Sequence, residues 1–552
     1  MKFIEKAFLP ILVLLVLLNG LILLRLGAGI ALQLYSLAAT ALLTLSGLVL
    51  LGRLSHRFSD PLMRLICAFS TGLIAFTALN FILLHFNKLV FTRAVNALFF
   101  TGILATGIVR RKKIFPAPFR PVMNRFNIIW ILFLSFILSF ATSYGLCNNP
   151  SGPPKKNRIK SFAFLMKPGQ RAPNWGWNKD KRLYIITWCD ETARNGLPGK
   201  ELQPNGVQIF FVSLARLISD WNLLGAIKLY KCFSPILLFS LLFSFGFIAK
   251  RFFNAGPVEI FLTVTAVPFF GAVNYPFFSA RHSSYLGFFL GGATMFHSVT
   301  QVFCLMIGAA GIILVLLPAD RRKSTFAWGC LLITGSFFFK PSLFAVAAPV
   351  IIVVFIFYRR LPNPDKIRGF ALLLIPPLYW LIYPAVYNLH AHEVPIAFQP
   401  FRVLGSYAAY HFPPSVTGNV FLRNILIIAF SFAVFIPILI DALITALRDR
   451  RKKRTQIVPP TLTRLPGFFL VSLFLLGTLS YALLVQDNNL WKFCNFGWGA
   501  AAALVFFLPV LVVWMVRIKS IILRAAAGLL FCLHLWGGLF QLYIFTFRGV
   551  LF

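Results

Sequence analysis

Residues 8–26 read FLPILVLLVLLNGLILLRL. At ~1.5 Å of rise per residue, such a helix crosses ~30 Å of hydrocarbon. The run is continuously apolar and lacks the period-two alternation of a strand, so it is read as a helix. Barrel strands would be shorter and dyad-patterned. Runs of the same kind recur along the chain as far as 521–545. Only helices and closed barrels satisfy every backbone group in lipid. The expected fold is an all-α polytopic membrane protein of about 15 transmembrane helices, at ~20 residues each. The first run lacks a small-residue cleavage site and leads directly into another apolar stretch, so it is read as a retained span rather than a leader.

Composition agrees with this reading. Of 552 residues, 59% are hydrophobic and 12% charged, against ~25% charged in soluble domains. The formal net charge of +39 would suggest nucleic acid in a soluble protein. Here the Lys and Arg fall in short clusters between apolar runs, and no folded soluble module presents a basic face, so no nucleic-acid partner is expected. The clusters are Arg53/Arg57, 110–113, Lys250-Arg251, 321–323, Arg359-Arg360, 448–454 and Arg517/Lys519. Each follows an even number of runs. The positive-inside rule then puts them, and the N-terminus, in the cytoplasm, as in a bacterial inner (plasma) membrane protein. The run from Leu331 to Tyr358 is interrupted at Lys340-Pro341.

The expected organisation is a four-helix N-terminal bundle at 1–125, a span at 126–146, an outer loop with interfacial helices at 147–227, and a transmembrane bundle with outer polar loops at 228–552. The outer loop is itself basic, which long loops tolerate and which an anionic headgroup would explain. A loop of ~80 residues exceeds ordinary connections. Within it, residues 207–218 (VQIFFVSLARLI) are too short to span and read as a helix resting on the outer interface. Further outer polar segments are expected at 274–301, 388–424 and 486–498. Polar residues concentrate on this side, so function is expected there.

The chain has 14 acidic residues. Seven fall outside by this topology: Asp180, Asp190, Glu191, Glu201, Asp220, Glu393 and Asp487. Four of them lie between 180 and 201. A carboxylate beside a lipid phosphate and an acceptor hydroxyl could take a proton in a transfer reaction. An acidic group balancing neighbouring Lys and Arg accounts for the composition as well. The 8 cysteines show no CxxC spacing, so no metal site is read from them. A Cys147–Cys189 bridge and the plainer role of small apolar filler both stand.

Several short stretches resemble GT-C-type glycosyltransferases. Asp180-Lys-Arg-Leu-Tyr184, a helix stopped at Asn195-Gly196, and Gln203-Pro204-Asn205-Gly206 before an amphipathic helix look like the first outer loop of that class. Leu229 to Phe253, ending Ala-Lys-Arg-Phe-Phe, resembles the inward-running helix that follows. Phe296-His297-Ser-Val-Thr300, Lys340-Pro341-Ser342 and Asn495-Phe-Gly-Trp-Gly499 are similar to pieces of an uncharacterised bacterial branch. The resemblance covers roughly 126–514, and the order of the motifs carries more than any one alone. The chain departs from the class pattern in that no acid adjoins Asp180, whereas Asp190-Glu191 form a pair.

The resemblance implies transfer of a sugar from a polyprenyl-phosphate carrier to a glycan, lipid or protein acceptor at the outer membrane face. Asp180 is the first candidate for general base, with Asp190 and Glu191 as the alternative. Tyr184, one helical turn past Asp180, would orient the carboxylate or acceptor. The leaving phosphate needs cations, for which Arg281, His282, His297, Lys340, Arg402 and Lys492 are candidates; Arg can grip a phosphate with two parallel bonds. Each can also serve as a span anchor reaching to headgroups. Asp487 would belong to a sugar-contacting rim. No cofactor is firmly implied, and there is room for a divalent metal. The rival classes are a lipid or polysaccharide transporter or flippase, expected to show broken helices or ionisable groups at mid-depth, and a polysaccharide ligase or polymerase.

Overall fold

The computed structural model describes residues 8–25, 28–52, 60–85, 91–109, 122–147, 206–218, 223–271, 299–317, 325–358, 361–386, 396–398, 419, 422, 425, 432–451, 465–486 and 495–543. Among these it is helical apart from two three-residue strands. In chain order the elements are α1 (Phe8–Arg25), α2 (Ile30–Leu51), α3 (Pro61–His85), α4 (Thr92–Val109), α5 (Arg125–Cys147) and α6 (Gly206–Ile218). They continue with α7 (Leu223–Phe253), α8 (Pro257–Phe269), α9 (Val299–Leu316), α10 (Phe326–Phe337), α11 (Pro341–Ile356), α12 (Asn363–Leu373) and α13 (Ile375–Val386). Strand β1 (Ile396–Phe398), α14 (Phe435–Arg451), α15 (Leu465–Leu483), β2 (Leu484–Gln486), α16 (Asn495–Val516) and α17 (Ile521–Tyr543) complete the series. Eight of the described helices are long and apolar enough to cross a membrane, and seven shorter ones are apolar.

The apolar runs become helices because lipid leaves backbone groups no other partner. Several hydroxyls inside the spans are satisfied within their own helix. Ser36, Thr40, Thr44 and Ser46 of α2 each donate to the carbonyl four residues earlier, at 2.7–2.9 Å. Asn80 of α3 and Asn96 of α4 are buried and exchange amide hydrogen bonds at 2.9 and 2.8 Å, an interhelical link of the kind that joins spans. Helices α2 and α3 meet backbone to backbone, because a Cβ on Gly47 would overlap the Ala68 carbonyl and one on Gly72 the Leu43 carbonyl.

Most of α7 and α16 is enclosed by protein, whereas α1 exposes Leu9, Val13, Leu14, Val16, Leu17 and Leu21. An aqueous surface would not carry such a patch; a bilayer accepts it. One continuous apolar core runs through the N-terminal helices and the rest of the bundle, with α3 packed on α6, α7 and α9.

Residues 206–218 do form a helix. It does not rest by one face on an interface, because Gly206 to Ala215 are all buried among α3, α4, α7 and α9. Phe210 shows the reason, with its ring 5.5 Å from Phe233 and 5.7 Å from Phe303. The apolar face that suggested a lipid contact is met by aromatic side chains instead.

Several helix ends meet at the end of the molecule that carries Arg251 and Arg517. Arg251, Leu316, Leu317, Thr325, Tyr358, Leu361 and Leu465, from six helix ends, line one cavity. Arg517, at the end of α16, bonds Glu259 in the first turn of α8 and the Phe253 and Asn254 carbonyls after α7. Asp60, at the start of α3, accepts from the Met63 and Val122 amides. The ends of α7 and α16 and the start of α8 therefore lie on the same side as this cavity. Helix α10 runs from this end to the opposite one, α9 and α11 run back toward this end, and α10 and α11 meet in a hairpin at the Lys340-Pro341 interruption.

Candidate functional site

At the far end of that hairpin the chain turns through Phe338 and Phe339. The turn stops α10 with bonds from the Phe338 and Phe339 amides to Gly335 and Ser336 at 3.1 Å, and from Lys340 N–H to Ser336 at 3.0 Å. Pro341 cannot continue a helix that needs its N–H, but it starts one well. Lys340 is thus the N-cap of α11, with an extended backbone.

Four helices begin around this turn. The first amide of α6, Gly206 N–H, donates to Phe338 O at 2.8 Å; a Cβ at Gly206 would crowd that carbonyl. From the start of α9, Gln301 accepts a hydrogen bond at 3.1 Å from Ser342 Oγ in the first turn of α11. Cys304, one turn further along α9, donates to Lys340 O at 3.2 Å. From the start of α16, Trp498 receives the Lys340 ammonium over its ring, 3.3 Å from the centroid, and Gly499 approaches Ser342 O. Phe303 and Phe339 stack at 5.3 Å beneath the turn.

This arrangement has a definite electrostatic sense. Each helix N-terminus carries roughly half a positive charge on its free N–H groups, and here the first turns of four helices lie at the turn that carries Lys340. Such ends bind anions. Gln301 is fully buried, and its Nε2 has no partner; Gln208, at the start of α6, has neither amide atom paired. A buried unpaired amide costs about 1–3 kcal/mol.

Of the residues nominated from sequence, Lys340 falls in the described structure and lies at this cluster. Asp180, Tyr184, Asp190, Glu191, Arg281, His282, His297, Arg402, Asp487 and Lys492 lie outside the described residues, as does the Cys147–Cys189 pairing. Their chain positions are nevertheless informative. The segment 148–205 ends where α6 begins, 272–298 ends at α9 and 487–494 ends at α16. The motifs at 340–342 and 495–499, far apart in sequence, are joined through Lys340 and Trp498, and Gln301, next to the motif at 296–300, joins them through Ser342. Trp498 belongs to the motif at 495–499, whereas Gln301 carried no warning beyond opening an apolar run. Strands β1 and β2 pair antiparallel, with Ile396 opposite Gln486, at the end of α15 remote from the basic clusters.

A second polar junction lies inside the bundle. Helix α8 ends at Phe269, half a span long, and Gly271 O meets His534 Nδ1 of α17. The amide of Val434, just before α14, donates to His534 Nε2 at 3.4 Å. Phe270 stacks on the imidazole at 4.4 Å. Both ring nitrogens are used, which requires the neutral Nδ1–H tautomer. Among the described residues, no three His, Cys, Asp or Glu side chains come together, and Cys67, Cys232, Cys304, Cys330 and Cys532 are free thiols.

Compared with family models, curated proteins and solved structures, the chain matches none.

Proposed function

We propose that this protein is a membrane glycosyltransferase that moves a sugar from a polyprenyl-phosphate carrier to an acceptor at the outer face of the membrane. The observation that carries the reading is the meeting of four helix N-termini on Lys340. When the acceptor oxygen bonds to the anomeric carbon, the carbon–oxygen bond to phosphate breaks and its electron pair stays on the phosphate. Fixed dipoles and an ammonium group meet that charge without reorganising. Helix α10, which leads to Lys340 from the basic end, rises ~18 Å, and α11 returns ~24 Å. Both fall short of the ~30 Å hydrocarbon thickness, and in this scheme the cation lies below the opposite headgroup level.

In this scheme Asp180, or Asp190 with Glu191, takes the acceptor's hydroxyl proton, and Tyr184 orients it. Arg281, His282, His297, Arg402 and Lys492 add phosphate contacts, and Asp487 touches sugar. The basic end faces the cytoplasm of a bacterial inner membrane, with the N-terminus on that side and about 15 segments in the bilayer. A divalent metal has room in the scheme without being required by it.

Transport is the second reading, favoured by the His534 junction, where α8 stops and α14 starts inside the bundle. Discontinuous helices of this kind hold substrates in transporters. Against it, both imidazole nitrogens are already occupied by backbone.

The separating experiment compares lipid-linked sugars and surface glycans in cells carrying wild-type, Asp180→Asn or Asp190→Asn protein at equal levels. The transferase reading expects at least one carboxylate variant to lose the glycosylated product and accumulate donor. Undiminished product from both variants rejects the carboxylate mechanism. Altered leaflet distribution of a lipid with no change in glycosidic bonds favours transport.

A further inference from the structure

The helix starts that meet at Lys340 hold one side chain to which the transfer scheme gives no role. Gln301, in the first turn of α9, is fully buried. Its Oε1 accepts from Ser342 Oγ at 3.1 Å, which ties the carboxamide to the first turn of α11, just past Lys340. A carboxamide is planar and rigid, so that bond also fixes Nε2 beside the same turn. Nε2 has no partner. The start of α9 is held there by two further contacts. Cys304 bonds Lys340 O at 3.2 Å, and Phe303 stacks on Phe339 at 5.3 Å. A donor enclosed in this way is unfavourable for the fold unless something accepts from it.

The chemistry of the missing partner follows from what Gln301 has left to offer. Its acceptor is taken by Ser342, so the open position is a donor alone. A sugar hydroxyl here would bring a proton of its own, whereas a phosphate oxygen brings only lone pairs. The surroundings favour negative charge as well. Lys340 supplies a formal cation, and the helical first turns at 206–209, 299–302, 341–344 and 495–498 contain no acidic residue. Main-chain N–H groups in a first helical turn lack intrahelical partners and carry partial positive charge. Being neutral, Gln301 adds a donor beside Lys340 without repelling it.

We propose that Gln301 is a phosphate-binding residue of this site, its Nε2–H donating to a non-bridging oxygen of the carrier's phosphate while Ser342 Oγ–H holds the carboxamide in that orientation. The assignment rests on the transferase reading, in which that phosphate meets Lys340, and adds an uncharged contact to it. Gln301 exchanges no proton and forms no bond in the reaction. It holds the phosphate that Lys340 neutralises, so its contribution is read in binding of the carrier even where no sugar moves.

The test offers purified full-length protein undecaprenyl phosphate or the parent alcohol, undecaprenol, in detergent micelles and measures bound lipid by native mass spectrometry. Wild type is expected to retain the phosphate roughly a hundredfold over the alcohol, from Lys340 and Gln301 together. Gln301→Met keeps the chain length and removes the donor. It is expected to lower phosphate retention about tenfold, the scale of one hydrogen bond to a charged group. Gln301→Glu keeps an acceptor for Ser342 but replaces the donor with a second oxygen, and is expected to lose more. Neither change should alter retention of the alcohol; a parallel loss of both lipids would mean that Gln301 serves packing alone, and overturns the assignment. Ser342→Ala, which releases the carboxamide, is expected to lower phosphate retention by a smaller factor, and it decides if neither Gln301 variant folds. Equal retention of the two lipids by wild type removes the phosphate site. An unchanged ratio in the Gln301 variants, with the ratio lost in Lys340→Gln, overturns the role of Gln301 and leaves the transferase reading standing. A phosphate preference that depends on Gln301, in a protein that forms no glycosidic bond, keeps this site and rejects that reading.

Discussion

Lys340 ends a turn, caps a helix and holds its ammonium 3.3 Å from the Trp498 ring centroid. If it meets a leaving phosphate, Lys340→Gln keeps the side-chain length and hydrogen-bonding ability and removes the charge. The expected result is about a hundredfold loss of sugar transfer, the scale of losing one donor to a developing oxyanion, with normal protein level. Trp498→Leu removes only the π face, worth roughly 0.5–2 kcal/mol, and is expected to cost two- to thirtyfold in the same assay. Equal effects of the two would mean that the pair matters through packing alone. Arg517 gives a contrasting prediction, since it serves the fold. It bonds Glu259 at 2.8 Å, and the glutamate side chain is 9% exposed against 45% for the arginine. Arg517→Ala leaves that carboxylate short of a partner, and thermal unfolding in detergent is expected to show about 1–3 kcal/mol of destabilisation, reduced by water around the arginine. The role of Lys340 was legible in part, because a cation before a proline within an apolar run marks a helix break. Gln301 was not, since a glutamine beside polar residues reads as the end of a loop until its neighbours bury it.

At the scale of elements, the sequence identified helices by apolar length and left their environment open. The α6 helix illustrates the difference. Thirteen residues with one polar stripe suit a membrane surface or a protein groove equally well, and the aromatic rings from α7 and α9 supplied the groove. Close approach is also an element property. The α2–α3 contact depends on Gly47 and Gly72, where added methyl groups would meet backbone carbonyls that cannot rotate away. Gly72→Val is therefore expected to lose stability by about 1–3 kcal/mol or more, as overpacking does. Gly102, with nothing within 4 Å of an added Cβ, should tolerate alanine. A melting comparison of Gly72→Val with Gly102→Ala checks this, and equal melting would remove the close-contact account.

For the molecule as a whole, the two ends have different character: the helix ends carrying Arg251 and Arg517 at one, the Lys340 cluster and the β1–β2 ribbon at the other. In an otherwise cysteine-free protein, Lys519→Cys at the basic end is expected to resist a membrane-impermeant thiol reagent in spheroplasts and react after permeabilisation. Phe398→Cys in β1, which is exposed, is expected to react in intact spheroplasts. The reverse pattern would put the Lys340 cluster on the cytoplasmic side and remove the outer-face chemistry.

The sequence by itself determined the helical, membrane-embedded character, because continuous apolar length leaves the backbone no alternative in lipid. It also determined the sorting of charge into clusters between apolar runs. Only the tertiary structure decided that Gly206, Gln301, Lys340, Ser342 and Trp498 are neighbours, and that α6 is enclosed. Convergence of helix ends depends on how spans pack against one another, and packing follows from shape complementarity between side chains distant in sequence. No local pattern of residues records it.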